Sequence, residues 1–176
     1  MPTVLAIPGS LRSGSANHLL LRAMQRAAPA GMRIEILDLL DRLPHFNPDH
    51  DTDTPPSTVL DFRRRIGEAD ALVISSPEYA HGIPGSLKNA LDWLVSCTEF
   101  PSQVVLVLNV SAGDAKHLQE QLVEVLGTMS ARVIARPPLV SAVVRKAIAA
   151  DGAIRDPVIA QAVDEALGAL GAALVR

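Results

Sequence analysis

Three short segments, Thr3 to Ile7, Ala71 to Ser75 and Val104 to Val110, are apolar at nearly every position, and each stops at a Pro, Gly or Ser. A strand with one face in water alternates apolar and polar residues. Runs without alternation therefore belong to strands covered on both faces, as in a parallel sheet. Parallel neighbours need long crossovers, and the intervening segments can supply them. Asn17 to Ala28 places Leu19, Leu20, Ala23, Met24 and Ala27 at helical spacing, with Pro29 and Gly31 as stops. Helical patterns recur over Ser57 to Glu68, Gly85 to Ser96, Ala115 to Met129 and Pro157 to Leu174, and further strands are read at Arg33 to Asp38 and Arg132 to Ala135. Five strands alternating with five helices predict a three-layer α/β sandwich, a five-stranded parallel sheet with right-handed crossovers and helices on both faces.

In such sheets ligands sit beyond the carboxyl ends of the strands, where the strand order reverses. Chemistry is thus expected after Ile7, Ser75 and Val110. The 176 residues fit one domain, 1–176, and a net charge of -3 gives no basic footprint for nucleic acid. Cys97 is the single cysteine and forms no internal disulfide, so the fold does not depend on an oxidising compartment. No apolar run approaches the roughly 20 residues that cross a bilayer, and the N-terminus lacks a basic leader. The expectation is a cytoplasmic protein with neither nucleic acid nor membrane as partner.

The loop Gly9-Ser10-Leu11-Arg12-Ser13-Gly14-Ser15-Ala16-Asn17 lies between a strand and a helix N-terminus. A phosphate needs hydrogen-bond donors, close backbone approach and the positive end of a helix dipole, and this loop offers all three. Arg12 adds a guanidinium fork suited to a terminal dianionic phosphate, such as that of flavin mononucleotide (FMN). A plain polar turn capped by Ser15 or Asn17 is compatible with the same residues. The chain has neither a Gly-Lys-Ser/Thr phosphate loop nor a Gly-x-Gly-x-x-Gly fingerprint. After the third strand comes Ser76-Pro77-Glu78-Tyr79-Ala80-His81-Gly82-Ile83-Pro84-Gly85, where two prolines and two glycines fix an irregular backbone around the only tyrosine. A stiff loop with an aromatic tip suits a planar ligand, or else a rigid crossover with Tyr79 as a surface anchor.

These two loops, with Pro84-Gly85-Ser86-Leu87-Lys88-Asn89-Ala90-Leu91-Asp92-Trp93, resemble the NADPH-dependent FMN reductase family from Thr3 to about Pro138. The resemblance implies a flavodoxin-like sheet of order 2-1-3-4-5. It also implies phosphate contacts from Ser10, Arg12, Ser15, Ala16 and Asn17, and flavin-ring contacts from Pro77, Glu78 and Tyr79, continuing through Ala80, His81 and Gly82, with Ser111 and Gly113 on the fourth-strand loop. It implies FMN as cofactor, NADPH or NADH as hydride donor, a small electron acceptor such as a quinone, azo dye, chromate or free flavin, and a homodimer or homotetramer. The chain departs from the family twice: Ala80 and His81 follow Pro-Glu-Tyr where Asn is usual, and Asp114 stands in a loop usually rich in glycine. Asp114 is read first as a helix cap.

Other tempting residues have plainer readings. Asp49, His50, Asp51 and Asp53 lie in a proline-bounded loop read as solvated, and no metal site is expected. Arg63, Arg64 and Arg65 are read as a solvated, partly salt-bridged surface, Lys88 and Asp92 as a helix pair, Trp93 as core or interface, and Cys97 as inert. His45, Phe46 and Asn47 sit in the long loop, which in related proteins can approach a neighbour's flavin. No catalytic acid or base is nominated, because hydride chemistry belongs to the cofactor, although His81 could donate a proton to an acceptor. Two rival readings are a flavodoxin-like electron carrier and a flavin-free binding protein that kept the fold.

Overall fold

In the computed structural model, which describes residues 1–12 and 14–175, the chain runs β1 (Thr3–Pro8), α1 (Ala16–Ala27), β2 (Arg33–Ile36), α2 (Ser57–Glu68), β3 (Ala71–Ser76), α3 (Gly85–Asp92), β4 (Val104–Ser111), α4 (Lys116–Thr128), β5 (Arg132–Ala135), β6 (Leu139–Val140), α5 (Ser141–Ala147) and α6 (Pro157–Leu174). The three apolar runs occupy the middle of the sheet, whose order is β2-β1-β3-β4-β5 with every pair parallel. Their lack of alternation has a direct cause. Leu5, Ile7, Leu72, Ile74, Val105 and Val107 join the core under α2, α3 and α4. Val4, Ala6, Val73, Leu106 and Leu108 join the opposite core under α1, α5 and α6. Each fully buried aliphatic side chain contributes about 1.5–3 kcal/mol, so truncating a central one such as Leu72 to Ala costs about 2–5 kcal/mol.

Beyond β5 the fold departs from simple alternation. Pro137 and Pro138 carry no N–H, so the chain cannot continue its ladder with β4 and bulges away. It returns as β6, pairing Leu139 and Val140 with Val110 and Ser111, and then enters α5, an element the sequence pattern did not disclose. The apolar stripe of α6, Ile159, Val163, Ala166, Leu167 and Leu170, is buried in the protein core, which accounts for the apolar composition of this 18-residue helix. The third helix ends at Asp92, not Ser96, and Trp93 follows fully buried, its Nε1 donating to the Pro44 carbonyl at 2.8 Å.

The long connection after β2 lies along the chain's own α3. Phe46 N donates to Asn89 Oδ1 at 2.7 Å, Asn89 Nδ2 donates to the Pro44 carbonyl at 2.9 Å, and the Phe46 ring meets Trp93 edge-on at 5.0 Å. Two readings need correction here. Arg63 and Asp51 are not solvated: their side chains are only 16% and 14% exposed and pair at 2.8 Å. Arg63 also donates to the Trp93 carbonyl and Ser96 Oγ, so it fastens the loop to the end of α3 while Arg64 and Arg65 pair with Asp61 on the surface. Burial pulls the Asp51 carboxyl upward, but hydrogen bonds from Arg63 and Ser96 and the Arg63 charge together hold it below its ordinary value. Lys88 and Asp92 form the expected helix pair at 2.6 Å. Cys97 is buried, and that burial, joined by the Glu99 carboxylate, pushes its thiol up against the opposing backbone hydrogen bond of Glu99 and the Arg63 charge.

Candidate cofactor site

The carboxyl ends of β1, β3 and β4 lie side by side, so their loops converge. Gly9 opens the first. Its N–H donates to the Ser75 carbonyl at 2.8 Å, and a Cβ there would lie 2.5 Å from Ser76 Oγ and 2.7 Å from Ser76 Cβ. Packing against β3 thus demands glycine at this point. Gly14 turns the loop with φ +66°, a conformation that costs an L residue about 1–2 kcal/mol. Ser15 then caps α1, its Oγ accepting from Asn17 N at 3.3 Å. No acidic residue occupies the first turn of α1, so the positive end of its dipole is not neutralised by the helix itself.

Asn17 is 2% exposed and its side chain faces the sheet. Its Nδ2 donates to the Val110 carbonyl at 2.9 Å, and its Oδ1 accepts from Val110 N at 3.2 Å and Ser75 Oγ at 2.8 Å. One amide therefore ties the head of α1 to β3 and β4. Its side chain is spent on that task and its N–H donates to Ser15 Oγ, so Asn17 shapes the loop from both its side chain and its backbone. Ser10 is buried, with its Oγ accepting from Arg12 N at 3.3 Å and lying 3.5 Å from the Tyr79 hydroxyl. The Arg12 side chain is exposed in a cleft with Leu11, His18, Arg22, Asp38 and Asp41, and among the described residues its guanidinium has no ion-pair partner. Arg145 of α5 donates to the Gly14 carbonyl at 2.8 Å and braces the loop from the neighbouring helix.

In the second loop Pro77 is buried and Tyr79 is 54% exposed. Tyr79 and Gly82 exchange both backbone hydrogen bonds, 3.1 and 3.0 Å, around Ala80 (φ 48°) and His81 (φ 59°). Two consecutive left-handed residues are what a type I′ turn requires, and Asn-Gly suits it best. The departure at Ala80 and His81 thus has a backbone consequence, with each residue carrying roughly 1–2 kcal/mol of strain. Glu78 turns away from the loop tip. Its carboxylate accepts from Leu118 N at 2.9 Å in the first turn of α4, and its own N–H donates to Ser111 Oγ at 3.3 Å.

Asp114 Oδ1 accepts from Lys116 N at 3.3 Å, one residue ahead of a cap position held by Ala115 in the left-handed region. A cap role for Asp114 is therefore realised in part, and Glu78 completes it from another loop. Gly113 has open space where a Cβ would point. Asn109 Oδ1, two residues before Ser111, is a buried acceptor with no hydrogen-bond partner among the described residues. Those residues contain no cluster of three metal-ligating side chains.

A parallel sheet of order 2-1-3-4-5, with an anion-suited loop and an aromatic loop converging where the order reverses, defines a flavodoxin-like protein. A profile of the NADPH-dependent FMN reductase family matches residues 2–145. A quinone reductase of Escherichia coli is 30% identical over 167 residues, which is 92% of this chain and 85% of the relative. An NAD(P)H-dependent FMN reductase of Pseudomonas aeruginosa is 33% identical over 171 residues, 95% and 92% of the two chains. Among solved structures, the flavoenzyme NAD(P)H:(acceptor) oxidoreductase FerB of Paracoccus denitrificans superposes with a TM-score of 0.81 at 29% identity, covering 99% of this chain and 96% of that one. The chain belongs to the NADPH-dependent FMN reductase family and is an oxidoreductase of that family, with FMN as cofactor and NAD(P)H as donor.

Proposed function

We propose that FMN lies across the carboxyl ends of β1, β3 and β4, that reduced nicotinamide delivers hydride there, and that a quinone-class molecule is the acceptor. The observation that carries this reading is the meeting of the two loops, marked by Ser10 Oγ and the Tyr79 hydroxyl at 3.5 Å. The residues present suit the cofactor. Arg12, the Ser10 hydroxyl and the Ala16 amide at the head of α1 would hold the phosphate, with the Ser15 and Asn17 amides, which donate at 3.1 and 3.3 Å to the Arg12 carbonyl and Ser15 Oγ, sharing their hydrogens with it. Pro77, Glu78, Tyr79, Ala80, His81 and Gly82 would border the flavin ring chiefly through main chain and the Tyr79 face, with Ser111 and Gly113 on the far side.

Bound FMN supplies the two-electron chemistry between nicotinamide and acceptor. The chain's own contribution is placement: Asn17 fixes the head of α1 against the sheet, Ser15 holds its first turn, and the closed turn at 79–82 presents the Tyr79 ring. Two relatives of the chain act, by their names, on quinone and on FMN, which is the support for a quinone-class acceptor here. A homodimer or homotetramer is proposed with it, and the exposed Leu60 and Val95 are apolar candidates for its contact surface. The test is NADPH consumption with FMN and benzoquinone. Turnover that needs both supports the reading, whereas FMN uptake without turnover would move the chain to the electron carriers.

A further inference from the structure

The turn at Ala80 and His81 is closed without glycine, asparagine or aspartate at either left-handed position, so its own residues oppose it. Contacts from α4 hold it instead. The Gln121 side chain spans the turn, its Nε2 donating to the His81 carbonyl at 3.1 Å and its Oε1 accepting from Ile83 N at 3.3 Å. Gly82 lies under the same amide, where a Cβ would sit 3.3 Å from Gln121 Oε1. The His81 ring stacks on His117 with centroids 4.5 Å apart and 18° between planes. Strain in an exposed turn persists only where the surroundings over-determine it, and here one helix supplies those surroundings.

We propose that Gln121, backed by His117, is the positioning residue of the flavin-ring loop: from α4 it locks the turn 79–82 closed and so presents Tyr79 to the cofactor. This rests on the reading that the loop borders FMN. The Gln121 side chain is exposed and Ile83 keeps its own packing against the core under α3 and α4, so loss of the contact should leave the fold intact. Gln121→Ala is expected to speed hydrogen exchange at the Tyr79 and Gly82 amides, whose acceptors lie within the turn, in the cofactor-free protein, with its melting temperature nearly unchanged. It should also weaken FMN binding about tenfold, through faster dissociation. Gln121→Glu, which keeps the acceptor for Ile83 N and loses the donor to His81, should fall between.

The discriminating variant is Gln121→Ala combined with Ala80→Asn and His81→Gly. An Asn-Gly turn closes by itself, so this protein should recover slow exchange at the Tyr79 and Gly82 amides, which bond within the turn, and FMN affinity with it, although its histidine stack is gone. Unchanged exchange in Gln121→Ala, or no rescue by the Asn-Gly turn, overturns the proposal. Faster exchange with unchanged FMN affinity would show a clamp without a role in the site, and overturns it too. If wild-type protein takes up no FMN while exchange still responds, the flavin reading fails and the clamp stands.

Discussion

The two loops at the switch point reach their shapes by opposite routes. In the first, the loop's own residues favour its conformation, with Arg145 of α5 as a brace from outside: Gly9 allows close packing on Ser76, Gly14 takes the left-handed position, Ser15 caps and Asn17 anchors. In the second, the loop's own residues resist their conformation, and Glu78, His81 and Ile83 are gripped by α4, some 40 residues further along the chain. A loop of the first kind is stiff by composition. One of the second kind is only as stiff as its contact with the neighbouring helix, so its order can be altered without touching the site.

Substitutions should expose this contrast, beginning with the largest effect. Asn17→Ala removes three buried hydrogen bonds and leaves Val110 N–H, Val110 C=O and Ser75 Oγ without their partner. At about 1–3 kcal/mol for each buried orphan, partly relieved by water, urea denaturation should show a loss of roughly 3–5 kcal/mol. Gly9→Ala forces a methyl against Ser76 and should cost about 1–3 kcal/mol in the same assay, with β1 and β3 pushed apart at their ends. Ser15→Ala removes the cap of α1 and should cost about 1 kcal/mol. The ring loop should answer with the opposite sign: Ala80→Asn eases a left-handed residue and is expected to stabilise by roughly 0.5–1 kcal/mol. A destabilising Ala80→Asn would mean that the turn is not strained and that the contrast between the loops is false.

The same contrast explains what the sequence could disclose. Burial on both faces is written directly into β1, β3 and β4 as unbroken apolar runs, and the polar loop ahead of α1 advertises its cap and its anion-suited donors. Arg63 looked like one of three equivalent surface arginines because nothing local says that Asp51 folds back onto it. The β6 and α5 segment was hidden by Pro137-Pro138, which interrupts the strand pattern before the chain rejoins β4. The bond from Leu118 N to the Glu78 carboxylate had no local signal, because only the tertiary fold brings that helix near. Gln121 carries no local signal at all. Its role follows solely from the turn it spans.

The central claim, that the loop from Gly9 to Asn17 holds the phosphate of FMN, is tested most directly by titrating wild-type protein and Arg12→Ala with FMN and with riboflavin, which lacks the phosphate. Arg12 is exposed and bonded to no ion-pair partner among the described residues, so its removal should spare the fold. The prediction is that Arg12→Ala weakens FMN by about tenfold to a hundredfold, the loss of a charge-assisted pair worth about 1.5–3 kcal/mol, and leaves riboflavin affinity unchanged. Equal losses for both flavins, or no loss for FMN, would contradict it.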